Sequence, residues 1–176
     1  MAPPSRPAHA GGLDPVAASL VRALVDRGLT VATAESLTGG AVGERLTTVP
    51  GASRTYVGGV VTYATRVKVD LLGVPAELVE RVGVVSEGCA AAMASGVRRL
   101  LDADLGLATT GVAGPDRQED KPPGLVYVAV ADRSGTVVRE LRLAGDRGAV
   151  RAGAVRAVLT LAHTRVANAS ATTATE

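Results

Sequence analysis

Apolar positions along this chain alternate between helical spacing and short continuous runs. Leu20, Val21, Leu24 and Val25 form a helical stripe, opened by Asp14-Pro15 as cap and first helical residue and stopped by Gly28. The β-branched run Leu29 to Thr33 then predicts a buried strand, and a small helix-compatible run begins at Ala41. A second strand is expected from Tyr56 to Tyr63, then helices from about Ala64 to Leu72 and from Pro75 to Val82. Ser86-Glu87 opens a longer helix to about Leu101, with a capping hydroxyl and an acid in its first turn. Leu105 to Thr109 reads as a third strand, and Leu125 to Ala131 with Thr136 to Leu143 as a hairpin. A final helix is expected from Gly148 to Val166.

This order predicts an α/β single-domain three-layer sandwich, a mixed sheet flanked by helices. The expected organisation is a disordered arm over residues 1–13, one domain over 14–166, and a disordered Ser/Thr/Ala tail over 167–176. Two glycine-rich loops sit at strand ends, Gly39-Gly40 and Thr110 to Pro115. In such sheets ligands bind where strand ends meet.

Composition narrows the function. The chain has 176 residues, a formal net charge of +2, and no Phe or Trp. Scattered arginines and three tyrosines offer neither a basic stripe nor a stacking platform, so nucleic acid is not an expected partner. No apolar run approaches membrane-spanning length and the arm lacks a signal-peptide core, so no membrane association is expected. The single cysteine, Cys89, rules out an internal disulfide and fits a cytoplasmic location. Two histidines and one cysteine make a metal site improbable, and no cofactor is expected. The small-residue stretch Ala90 to Gly96 suggests close helix pairing and a homodimer.

The centre of the chemistry is Ala34-Glu35-Ser36-Leu37-Thr38-Gly39-Gly40. A strand turning sharply into a helix leaves free N–H groups that suit a phosphate or an oxyanion, with Ser36 in the turn. A hydroxyl-capped helix with a flexible glycine pair is the alternative reading. No histidine is placed to serve Ser36 as a base, and no Walker or dinucleotide loop is present. Lysine is the anomaly. Nineteen residues are Lys or Arg, yet two are lysine, Lys68 and Lys121, and both fall beside the candidate site segments. A desolvated lysine can give up its proton where arginine cannot, so a lysine near Ser36 could act as its base.

These residues resemble the CinA C-terminal domain family. The resemblance rests on the Ser36 motif, Val61-Thr62-Tyr63 with Lys68, Leu72-Gly73-Val74 and Gly83 to Glu87. It continues through Thr110 to Pro115, Lys121-Pro122 with Gly124, and Gly145-Asp146-Arg147, covering about Val16 to Ala162. The family includes stand-alone amidases that convert nicotinamide mononucleotide to nicotinate mononucleotide and ammonia. The resemblance implies catalytic roles for Ser36 as nucleophile, Lys68 as base, Tyr63 and Thr110. It implies substrate contacts at Gly39, Gly40, Gly111, Arg147 and Lys121. The sequence departs from the family at Leu37, usually cysteine, at Ala64 to Val67, and in the shortened loop after Asp116. A non-catalytic nucleotide-binding module and a serine amidase for another small amide are the alternatives.

Overall fold

The computed structural model describes residues 13–172. Residues 1–12 of the expected arm and residues 173–176 of the expected tail lie outside the described residues.

Five strands form one mixed sheet in the order β2-β1-β3-β4-β5. They are β1 (Val31–Glu35), β2 (Tyr56–Val61), β3 (Leu105–Gly111), β4 (Leu125–Asp132) and β5 (Gly135–Arg142). β1 pairs in parallel with β2 and β3, while β4 and β5 add as an antiparallel hairpin. The helices are α1 (Pro15–Arg27), α2 (Ala41–Thr47), α3 (Thr65–Leu72), α4 (Ala76–Val82), α5 (Glu87–Leu100) and α6 (Arg147–Thr172). One buried cluster joins α1, α2 and α6 to one sheet face, and a second joins α3 and α5 to the other. The architecture is therefore the three-layer sandwich read from the sequence.

Local chemistry sets several boundaries. Asp14 caps α1 by accepting from Val16 and Ala17 N–H, and Gly28 ends it in the left-handed region. Ser86 caps α5 by accepting from Cys89 N–H. Other limits differ from expectation. β1 runs two residues further, because Glu35 keeps register with Val61 and with Thr109. β2 stops at Val61, although Thr62 N–H still donates to Glu35 O. α6 continues to Thr172, so the tail expected to be disordered from 167 begins as helix.

The small-residue stretch on α5, read as a face for close helix pairing, packs mostly within the chain. Ala90, Met93, Ala94, Gly96 and Val97 are buried inside the chain's own core. A side-chain carbon at Gly96 would stand 2.2 Å from Leu72 O, and one at Gly106 2.1 Å from Ala94 O. The buried part of the stripe lets α5 sit on α3 and β3, so its small residues serve the chain's own packing.

α6 is tied at both ends of the sandwich. Arg165 donates to the Asp132 carboxylate at 2.6 and 3.0 Å. At the other end Arg151 reaches the turn that carries Ser36. Among the described residues no helix is long and apolar enough to cross a membrane.

Candidate active site

The parallel strands β1, β2 and β3 all deliver their carboxyl ends to one edge of the sandwich, the usual ligand position in such sheets. A cleft of about 400 Å³ opens there, with Ser36, Leu37, Tyr63, Gly111, Arg117 and Arg147 among its lining residues.

Ser36 is the first residue after β1, and its N–H donates to Thr109 O at 3.0 Å. This carries the β1–β3 pairing one residue further and fixes the serine backbone. Lys68 rises from α3 to meet it. Its Nζ lies 3.1 Å from Ser36 Oγ, 2.7 Å from Thr62 O and 3.2 Å from Tyr63 O. Lys68 is 1% exposed, among the largest fully buried side chains described. Burial pulls its pKa down, partly opposed by Cys89 and Glu119. The Cys89 thiol is pushed up to about 11 by burial, so its opposing charge is absent near pH 7 and Glu119 is the opposing anion there. Neutral amine chemistry is thus favoured by the surroundings of Lys68.

The turn after Ser36 is built around Glu35, a residue to which sequence reading gave no role. Its side chain is 2% exposed. Oε2 accepts from Thr38 Oγ1 at 2.7 Å and from Gly40 and Val42 N–H at 3.0 Å; Oε1 accepts from Gly43 N–H at 2.9 Å. The carboxylate sits on the amino end of α2, where the helix dipole and free N–H groups favour an anion. An acid closing an otherwise apolar strand was the available signal. Its partners are backbone groups that the turn alone brings round.

That arrangement corrects the roles expected for the glycine pair. Gly40 N–H is committed to Glu35, and Gly39 N–H donates to Ser36 O at 3.1 Å. Neither is free for an oxyanion or a phosphate. Both glycines have left-handed backbones, φ +61° and +98°, and their function is to let the turn close.

The remaining expected residues divide. Gly111 lines the cleft, and a side-chain carbon there would stand 2.7 Å from Leu125 O, so the wall is bare backbone at that point. Arg147 also lines it, donating to Gly114 O at 2.9 Å and to the Tyr63 hydroxyl at 3.0 Å. Tyr63 therefore meets Lys68 through its carbonyl, while its phenol turns to Arg147. The catalytic role implied for Tyr63 thus has the backbone carbonyl, and not the phenol, as its contact with Lys68.

Thr110 and Lys121 lie outside the cleft lining. The Thr110 hydroxyl, 1% exposed, donates to Val84 O at 2.8 Å and braces the segment before α5. Lys121 donates to Val82 O at 2.8 Å and lies 3.4 Å from Glu119. Glu119 accepts from Val84 and Val85 N–H at 3.0 and 3.1 Å. Burial opposes ionisation of Glu119, but those N–H groups and Lys121 hold its carboxyl below the ordinary value. Lys121 thus fastens the loop after Pro115 to the end of α4 and does not face the serine. Sequence proximity to that loop could not tell which side the ammonium takes.

A second residue missed in the sequence is Arg151. It donates to Leu37 O at 3.0 Å and to Thr38 O at 2.9 Å. The signal was its position four residues after Arg147, which puts the two on one face of α6. Among the described residues no group of three His, Cys, Asp or Glu side chains could hold a metal ion.

Comparison with known proteins bears on the family and the fold. The family model "CinA C-terminal domain" matches residues 13–166. A CinA-like protein of Frankia casuarinae is 49% identical over 90% of this chain, and one of Geobacter sulfurreducens is 47% identical over 81%. The chain spans 37% and 35% of the length of those two relatives. Among solved structures, a competence-damaged protein (CinA) superfamily protein from Klebsiella pneumoniae superposes with a TM-score of 0.86 at 34% identity, covering 90% of this chain and 99% of that one. One from Enterobacter cloacae gives 0.85 at 30% identity, covering 94% and 99%. With a family match over nearly every described residue and relatives near half identical over most of its length, this chain is a member of the CinA C-terminal domain family.

Proposed function

We propose that this chain is a serine amidase that deamidates nicotinamide mononucleotide to nicotinate mononucleotide and ammonia. The observation that carries the reading is the Lys68–Ser36 contact of 3.1 Å, made by a lysine that is 1% exposed. A neutral amine keeps two N–H groups on the carbonyls of Thr62 and Tyr63 and turns its lone pair to the Ser36 hydroxyl. That is the arrangement a general base requires.

The reaction then runs in two halves. Ser36 Oγ attacks the carboxamide carbon while its proton passes to Lys68 Nζ. The tetrahedral intermediate collapses, the C–N bond breaks, and the Lys68 ammonium gives its proton to the departing ammonia. Neutral Lys68 next takes a proton from water, whose oxygen attacks the acyl carbon. The ester bond to Ser36 breaks, and the lysine returns the proton to Ser36 Oγ. Arg147 and Arg117 at the cleft wall supply positive charge suited to the phosphate of the nucleotide.

The alternative of a nucleotide-binding module without catalysis draws on one observation: the altered loop Asp116 to Lys121 turns its lysine to Val82 and Glu119 and away from Ser36. Ammonia release from nicotinamide mononucleotide, measured beside plain nicotinamide and other small amides, separates the readings. Release from the nucleotide alone is the expected result. Release from other small amides would indicate a different substrate, and tight nucleotide binding without ammonia would indicate the module.

A further inference from the structure

We propose that Arg151 is the positioning residue of the oxyanion site, acting through peptide groups of the Ser36 turn; this rests on the reading of Ser36 as nucleophile. The helix start cannot supply the donors, since Glu35 holds the N–H groups of Gly40, Val42 and Gly43. The N–H groups of Leu37 and Thr38 make no hydrogen bond among the described residues. Leu37 lines the cleft next to Ser36. The N–H that follows a nucleophilic serine is a natural donor to the oxyanion formed on its substrate.

Arg151 is connected to both free N–H groups. Its Nε donates to Leu37 O, and that carbonyl shares a peptide group with Thr38 N–H. Its second guanidinium nitrogen donates to Thr38 O, whose peptide group contains Gly39 N–H. Gly39 N–H in turn donates to Ser36 O, which shares its peptide group with Leu37 N–H. A permanent cation thus sits at the head of two hydrogen-bonded chains, one of one peptide group and one of two. Each bond pulls electron density from the next N–H, so the free donors facing developing negative charge are strengthened. Arg151 lies outside the lining of the cleft and touches neither Ser36 Oγ nor Lys68. A side-chain carbon at Gly39 would stand 3.6 Å from the guanidinium, an ordinary contact, so the glycine serves the turn through its φ of +61° and not through clearance for Arg151.

The test uses a fluorophosphonate, which reacts at the serine hydroxyl and places a phosphoryl oxygen, gaining negative charge in the transition state, where the oxyanion would form. Ser36 Oγ bonds to phosphorus, fluoride leaves, and the proton passes to Lys68. The rate of Ser36 labelling is followed against pH for wild type, Arg151→Met and Arg151→Lys, with folding checked by circular dichroism. We expect Arg151→Met to lower the plateau rate about tenfold or more, with the pH midpoint, set by Lys68, unmoved. Arg151→Lys restores part of the rate. A plateau unchanged in folded Arg151→Met overturns the proposal, as does a midpoint that moves with the plateau, which would mean a displaced serine. Wild type left unlabelled at Ser36 also overturns it. If Arg151→Met does not fold, Arg151→Gln takes its place: a plateau about tenfold lower with the midpoint unmoved supports the proposal, and an unchanged plateau overturns it. Wild type that labels at Ser36 but releases no ammonia from nicotinamide mononucleotide removes the substrate assignment and leaves the role of Arg151 to the labelling rates.

Discussion

Lys68 Nζ stands 3.1 Å from Ser36 Oγ, held there by the carbonyls of Thr62 and Tyr63. Arginine would keep the charge in that place but could not accept a proton. We therefore expect Lys68→Arg to be nearly as damaging as Lys68→Ala, with a loss of about a hundred- to ten-thousandfold in turnover. Lys121→Arg, at a loop fastening away from the cleft, is the control and should cost far less. Steady-state rates with Lys68→Arg active and Lys121→Arg dead would reverse the assignment.

Burial lowers the Lys68 pKa, and this gives two linked pH effects. Turnover should rise with pH through the depressed value, because the neutral amine is the working form. Stability should move the same way. Between the depressed folded pKa and the ordinary 10.5, the unfolded chain binds the extra proton. Folding is therefore opposed below that window and relieved as pH rises through it. Compared with Lys68→Met, wild type should gain thermal stability as pH rises toward 10.5. Melting curves whose difference narrows in the opposite direction would show Lys68 to be charged in the folded protein.

Much of the fold was legible in residues that act on their neighbours. Asp14, Gly28 and Ser86 mark helix ends by contacts within a few residues, and the structure places those ends as read. Lys68 stood out by composition, because the rest of the chain is so poor in lysine. What escaped was long-range. Arg151 meets carbonyls more than a hundred positions away, and Glu35 serves donors that come together when the turn closes. Thr110 and Lys121 were placed in the site by the family resemblance, yet Thr110 reaches Val84 in the segment before α5 and Lys121 reaches Val82 at the end of α4. The Ala90 to Gly96 stripe shows the same limit: small residues announce close packing without saying what packs there.

Glu35 makes the turn a single unit. Glu35→Ala would leave the Gly40, Val42 and Gly43 N–H groups without their acceptor, at about 1–3 kcal/mol for each orphaned group. We expect a stability loss above about 3 kcal/mol by urea denaturation, together with loss of turnover. Glu35→Gln should fall between the two, since its amide nitrogen would face donors. A loss below about 1 kcal/mol for Glu35→Ala would show that the turn holds without it.

The central claim, that Ser36 attacks a carboxamide, is tested most directly by ammonia release from nicotinamide mononucleotide in wild type and Ser36→Ala, with nucleotide binding measured in parallel. The serine side chain makes its contact with Lys68, and its backbone is held separately by Thr109 O. The substitution should therefore abolish release while folding and nucleotide affinity stay close to wild type. Ammonia released by Ser36→Ala at about a tenth of the wild-type rate or more would contradict a covalent serine mechanism, since losing a nucleophile costs several orders of magnitude.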